Sequence, residues 1–486
     1  MGVRIVTEES IDLDKFPELK SFLDRNRELV DFLESAGKIS YTDKRLKVVN
    51  FCGYLGDEEF KVLLVPKKLK DRLKINSQED FDSIFYRFLH HIIENLHKEK
   101  IIYTLSLFET PIEESETNPS LIFKLLLLLK EKEQLINSIH LILSNPHRKL
   151  VEYESYKTLP EVSYVDERVL TDIIQHPEFL YETENGIIQD KYSPISVLQY
   201  EVEETFDTLE NRFVKHFLKE IQFFLDKEAK EFLDIKDLKE IKEEIEYCLQ
   251  SDVFSEVRGL NYFPSNSQVL MKKAGYREIF QIYRYFHLSF VPKFARDLDM
   301  AFSLKDMATL WEYHVLIKLL HGLKKGFGNH EITEDFKEGK IGKTIYEKAE
   351  FKFEKGLKLY FQLTKISYSE LKFRPDFLIE YENEIYIFDA KFRVIEDEDE
   401  KNDEREKNNK RKKNNRKDIL QNMHYYKDGL NAKFAIAVCF GEESKGEFYF
   451  RKRGKSNISF EDVIGLIGNN EYDGVGYVNL SLEGLK

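Results

Sequence analysis

Two aspartates and a lysine stand where apolar side chains are expected in "RPDFLIEYENEIYIFDAKFR", residues 374–393. Asp376 opens one alternating run, Asp389 and Lys391 sit in the next, and Glu382–Asn383 separates the two. Asn tolerates left-handed backbone angles, so a tight hairpin turning at this pair is expected. Asp376 then falls opposite Asp389, and because strand side chains alternate, Lys391 projects from the same face. A one-residue slip on each arm would set Asp376 against Lys391 and keep all three on that face. Opposed residues have Cβ atoms about 5 Å apart, where like charges destabilise. A divalent cation supplies a reason for such a pair: two carboxylates, water and substrate phosphate are the oxygen donors Mg²⁺ prefers, and Mn²⁺ could substitute. Lys391 could activate a water or stabilise charge building on a phosphate. The bland reading is a solvated sheet face with a neutralising lysine.

These strands need a frame. The helical pattern "LKDMATLWEYHVLIKLLHGL" leads into "TIYEKAEFKFE", "LKLYFQLTKI" and the two runs above. The helix "RKDILQNMHYYKDGL", the buried strand "KFAIAVCF" and a strand near "GVGYVNLSL" follow. That order describes a compact mixed α/β domain over 296–486. Residues 396–417 carry no apolar side chain, so a disordered charged loop is expected there. Residues 1–145 mix short strand and helix patterns and read as an α+β recognition or docking region. Residues 146–295 read as mainly helical. Between Thr205 and Gln250, Phe206, Leu209, Phe213, Phe217 and Ile221 recur at helical spacing. No clean heptad persists, so a hairpin packed on its own domain is favoured over a coiled coil.

The net charge of -14 argues against a surface that coats nucleic acid generally, though not against a local basic channel. Cys52, Cys248 and Cys439 lie far apart, offer no zinc-binding spacing and suggest a reducing, cytoplasmic setting. The N-terminus has no signal-peptide core. The most apolar run, "LIFKLLLLLK", is too short to span a bilayer and reads as a buried helix, so no membrane partner is expected. "GKIGKT" at 339–344 imitates a phosphate-binding loop, but Lys337 stands where its first glycine belongs. Any nucleotide hydrolysis would have to come from another polypeptide. His90–His91 reads as the core edge of an amphipathic helix.

"RPDF…IFDAKFR" resembles the PD-(D/E)XK nuclease signature, with Pro375–Asp376 followed by Asp389–Ala390–Lys391. The resemblance implies a restriction-endonuclease-like αβββαβ core in a mixed α/β chain, preceded by an N-terminal α+β region and a long helical segment. It implies that Asp376 and Asp389 bind the metal, with the Ala390 carbonyl, and that Lys391 supports water attack on a phosphodiester. Such nucleases often carry a Glu on the preceding helix. Glu312 fits, sharing a helix face with Ala308, Val315, Leu316 and Leu319, where a lone carboxylate must be paired or metal-linked. On the later helix Gln421, His424, Tyr425 and Asp428 share a face that could touch DNA or hold the attacking water, while Ile419, Leu420, Met423 and Leu430 face the core. Gln421 is the catalytic candidate among them. "SNPHRKL", "TFDTLENRFVKHFL" and "VLMKKAGYREIFQIYR" upstream narrow the resemblance to McrC-like restriction nuclease subunits with an uncharacterised N-terminal domain. That family implies DNA as substrate and an McrB-like AAA+ GTPase as partner. A stand-alone site-specific or repair nuclease, and a noncatalytic scaffold, are the competing expectations.

Overall fold

The computed structural model describes residues 4–7, 10–56, 60–99, 121–264, 266–287, 302–338, 344–367, 370–395, 406–441, 444–452, 454–469 and 472–482. They form two compact units. One joins Met1–Lys130 to Tyr285–Lys486, and the other is Glu131–Arg284. Among the described residues no helix is long and apolar enough to cross a membrane.

A nine-stranded sheet organises the first unit. Its strands are β1 (His330–Glu338), β2 (Thr344–Phe353), β3 (Lys358–Phe361), β4 (Phe377–Tyr381), β5 (Glu384–Val394), β6 (Phe434–Phe440), β7 (Gly446–Phe450), β8 (Gly454–Ile458) and β9 (Gly474–Leu480). Their order is β1-β2-β3-β4-β5-β6-β9-β7-β8. Neighbours from β1 to β5 are antiparallel, whereas β5, β6 and β9 run parallel. Every residue of β6 and β9 is buried. Parallel strands covered on both faces read as unbroken apolar runs, which explains "FAIAVCF". Two helices cover the centre: α1 (Met307–Phe327) and α2 (Glu406–Gly429). Ile419 and Met423 of α2 join Leu378, Ile387, Ala435, Ala437 and Cys439 in one core cluster. Trp311 of α1 packs on Phe392 and Phe440 and donates Nε1–H to the Val438 carbonyl at 3.2 Å. The expected helix–strands–helix–strand frame is present.

Over 406–417 helix stands where a disordered loop is expected. Residues 396–405 lie outside the described residues, and from Glu406 the backbone is already α2. Lys and Arg are good helix formers, so lack of apolar residues did not prevent helix here. The "GKIGKT" segment lies outside the described residues up to residue 343, and β2 starts at Thr344, as its pattern suggested.

The N-terminal part of this unit holds two three-stranded sheets. Its helix Gln78–Lys98 packs along α1, with Phe88 and His91 against His314. The apolar helix Leu121–Lys130 is buried, as its composition required.

The second unit adds two strand pairs to the helices expected there. Lys149–Lys157 pairs with Val197–Thr205, and Leu180–Gly186 with Asp190–Pro194. Val151, Tyr153 and Tyr156 in "KLVEYESYK" favour a strand, although none of its residues is buried. The Lys/Glu-rich stretch folds back on its own unit as Leu209–Phe223 and Lys236–Leu249. Buried Asn211 ties the unit together. Its Nδ2 donates to the carbonyls of His147 and Phe206 at 2.8 and 2.6 Å, its Oδ1 accepts from the Tyr276 hydroxyl, and that hydroxyl accepts from His147 N–H at 2.8 Å.

Candidate active site

The hairpin forms in the expected register: Tyr381 pairs with Glu384, and Phe377 with Phe388. Glu382 (φ 50°) and Asn383 (φ 65°) both adopt left-handed angles, the signature of a two-residue type I′ turn. Antiparallel pairs alternate between hydrogen-bonded and closer, non-hydrogen-bonded positions. Counting outward from the turn, Asp376 and Asp389 fall at a close position, and Pro375 and Ala390 at the next bonded one. Proline has no N–H, so it cannot complete that rung. The Ala390 N–H donates instead to Asp376 Oδ2 at 2.7 Å. Register therefore leaves the Ala390 carbonyl, on the same side, without a cross-strand donor.

Asp389 is 1 % exposed, and its Oδ2 is buried. Lys391 Nζ approaches that oxygen to 2.5 Å as an ion pair. Burial opposes the Lys391 ammonium, yet Asp389 and then Asp376 outweigh it and hold its pKa above the usual lysine value. Burial, reinforced by Asp389 and Glu312, pushes the Asp376 carboxyl well above the carboxylate range. These groups balance each other's charge only partly, as expected of a site built to receive a cation.

Glu312 is paired, as a carboxylate on an apolar helix must be, and its partner comes from the other end of the chain. Lys38 Nζ lies 3.1 Å from Glu312 Oε1 and 3.6 Å from Asp306 Oδ2. Helix Arg27–Ser35 ends with Gly37 at φ 67°, whose N–H bonds to the Glu34 carbonyl while Lys38 N–H bonds to Leu33. This pair of bonds is a Schellman cap, which needs glycine at the left-handed position and fixes the residue that follows. Gln362 holds the other Glu312 oxygen through Nε2 at 3.1 Å, and its own N–H donates to the Asp376 carbonyl at 2.8 Å. Gln362 thus links Glu312 to the strand that carries Asp376. Burial opposes the Lys38 ammonium, but Glu312, Asp306 and Asp376 hold its pKa above the ordinary value.

The structure brings together Asp376, Asp389, Ala390 and Lys391, and joins Glu312 to them through Gln362. It leaves Gln421 exposed on α2, with His424, Tyr425 and Asp428. Tyr426 of α2 is half-buried instead: burial and then Asp389 raise its phenol pKa, and its hydroxyl donates to the Arg374 carbonyl at 3.5 Å. Sequence reasoning passed over Tyr426, Gln362 and Lys38. Helical phase alone separates Tyr426 from the Gln421 face. Gln362 follows the end of β3 directly. Lys38 carries a weaker signal, a lone lysine after "SAG" at the end of an amphipathic helix.

With this geometry established, comparison with known proteins adds two family matches. Residues 51–283 match the "Domain of unknown function (DUF2357)", and residues 309–444 match the "PD-(D/E)XK nuclease superfamily". No curated protein matches the chain. Two solved assemblies from Thermococcus gammatolerans are similar in structure. One is a half-complex of McrB AAA+ hexamers with bound McrC, at 12% identity and TM-score 0.31, covering 99% of this chain and 95% of that one. The other is the McrBC complex, at 14% identity and TM-score 0.18, covering 64% of this chain and 80% of that one. The matched span 309–444 contains most of α1, the hairpin and α2, with Pro375–Asp376 and Asp389–Ala390–Lys391 on neighbouring strand segments; this part of the chain is similar to the PD-(D/E)XK nuclease superfamily.

Proposed function

We propose that the chain is the Mg²⁺-dependent endodeoxyribonuclease subunit of a restriction system, working with an McrB-like AAA+ GTPase. The observation that carries the nuclease reading is the Asp376–Asp389 pair at the open end of the β4–β5 ladder, with Lys391 against it. The donor set fits a hard divalent ion. It offers only oxygens: the Asp376 carboxylate, the buried Asp389 carboxylate that Lys391 pairs, and the Ala390 carbonyl, which register leaves without a strand donor. Asp376, Asp389 and the Ala390 carbonyl would hold Mg²⁺ or Mn²⁺, with Glu312 helping. The ion, when bound, supplies charge neutralisation at the scissile phosphate and a more acidic water.

The chain's own groups then have distinct tasks. Lys391 donates hydrogen bonds to the attacking water or to the phosphate oxygen on which charge builds. Asp389 holds that ammonium in place. Lys38 and Gln362 fix the Glu312 carboxylate, so its orientation costs no reorganisation when the substrate arrives. Tyr426 can donate its hydroxyl to a phosphate oxygen, and Gln421 remains the candidate for orienting substrate or water. The phosphate-loop imitation lacks its first glycine, so GTP hydrolysis belongs to the partner. The partner reading rests on the upstream motifs shared with McrC-like subunits.

Plasmid cleavage with Mg²⁺, with and without the cognate GTPase, tests this. Wild type should cut, and Asp389→Ala and Lys391→Ala should abolish cutting while circular dichroism shows that both variants remain folded. Normal cutting by both variants would overturn the assignment.

A further inference from the structure

Among the described residues, a second set of metal-ligating side chains stands outside the nuclease centre: His140, Glu244 and Cys248. We infer that these three residues form a transition-metal site of the Zn²⁺ class, with a water as fourth ligand. The inference is independent of the nuclease reading, because every residue it uses lies in the unit Glu131–Arg284.

The argument begins with the scaffold. Helices Lys132–Ser144 and Lys236–Leu249 pack side by side, and Lys132 bridges them at one end through Asp237 and Glu240. Further along, His140 projects from the first helix. Glu244 and Cys248 stand one turn apart on the second, so they share a face. The ligand atoms all lie within 4.8 Å of one another. His140 Nε2 is 3.0 Å from Glu244 Oε1, and Cys248 Sγ is 3.6 Å from the same oxygen. A tetrahedral Zn²⁺ bonds N and O at about 2.0–2.2 Å and S at about 2.3 Å, which places its ligand atoms roughly 3.3–3.7 Å apart. The trio therefore needs only small side-chain adjustments to close around an ion.

Chemistry selects the metal class. One imidazole, one thiolate and one carboxylate form a borderline-soft set that suits Zn²⁺ or Co²⁺ and disfavours Mg²⁺. Their charges also balance: the carboxylate and thiolate together cancel the 2+ of the ion. Without metal, the Cys248 thiol is directed at Glu244 Oε1 at 3.6 Å. On binding, the S–H bond breaks, the proton leaves to solvent and the S–metal bond forms, with no redox change. Half-exposed His140 opens the entry path and the water position, whereas Cys248 is fully buried. Two of the ligands lie more than a hundred residues from the third and only one is a cysteine, so a search for paired cysteines passes over them.

The site would clamp the two helices together. The test uses the full chain, stripped with chelator and titrated with Co²⁺. One equivalent should give the intense visible absorption of tetrahedral Co²⁺ together with a thiolate-to-cobalt charge-transfer band. One equivalent of Zn²⁺ should displace it and raise the melting temperature. Cys248→Ser and the exposed-site variant His140→Ala should lose the charge-transfer band and the Zn²⁺-dependent stabilisation, while Asp389→Ala keeps both. Absence of the band at saturating Co²⁺, or its persistence in folded Cys248→Ser or His140→Ala, would overturn the inference.

Discussion

At the residue scale, Asp376 and Asp389 meet because the turn sets their register, and Pro375 then interrupts the ladder beyond them. Period-two alternation and a local turn determine that meeting, and both can be read within twenty residues of sequence. The Lys38–Glu312 pair is of another kind. It joins positions 274 apart in the chain, and only tertiary packing brings them together. Both groups are largely buried, so removing one leaves an uncompensated charge, typically at a cost of about 3 kcal/mol or more. Lys38→Met should therefore lower stability in denaturant titration by about that amount. The Lys38→Met/Glu312→Gln double variant should recover most of the loss. A double variant as unstable as the sum of the two single changes would show that the pair does not couple.

At the element scale, long periodic segments such as α1 and β6 were legible because burial imposes their pattern. Two segments were not. The start of α2 carries no apolar residue to mark its phase, and residues 149–205 look polar because much of their strand surface is exposed. The Asn211 knot gives the upstream motifs a physical meaning, since "SNPHRKL", "TFDTLENRF" and "KKAGYREIF" supply His147, Asn211 and Tyr276 to one hydrogen-bond network. Asn211→Leu leaves two carbonyls and a tyrosine hydroxyl without this partner, and should cost about 2–4 kcal/mol in unfolding free energy.

Glu99 makes a related test through pH. It follows helix Gln78–Lys98 and pairs with His321 and Lys324 on α1. Burial alone would raise its pKa, but hydrogen bonds from His321 and Lys324 bring it down to about 2. A folded-state pKa below the unfolded value contributes stability above about pH 4.5 that is lost as pH falls toward 2. Glu99→Gln should therefore melt several degrees below wild type at pH 7, and the gap should close as the pH falls through that window. A gap that stays constant between pH 7 and pH 3 would contradict this role.

At the scale of the whole molecule, residues up to 130 belong to the same compact unit as the nuclease residues, although the sequence reads as separate successive regions. Backbone contact seals this arrangement. Met307 N–H donates to the Cys52 carbonyl at 2.8 Å, and a Cβ on Gly53 would lie 2.5 Å from the carbonyl oxygens of Leu304 and Lys305. Composition cannot show that two distant stretches share a core, because each is apolar enough to suggest one of its own. A fragment of residues 296–486 would expose the α1 surface that packs on Gln78–Lys98 and would lose Lys38 beside Glu312. It should unfold at distinctly lower denaturant than the full chain, as read by circular dichroism; equal midpoints would show that the N-terminal residues add no support.

The nuclease account depends most directly on whether one ion sits between the two aspartates. Anomalous diffraction from a crystal soaked in Mn²⁺ reports this without relying on activity or on a partner. The account predicts a manganese peak within about 2.5 Å of carboxylate oxygens from both Asp376 and Asp389, absent in Asp389→Asn. A saturating soak that leaves this position empty, or places manganese against only one of the two carboxylates, would contradict it.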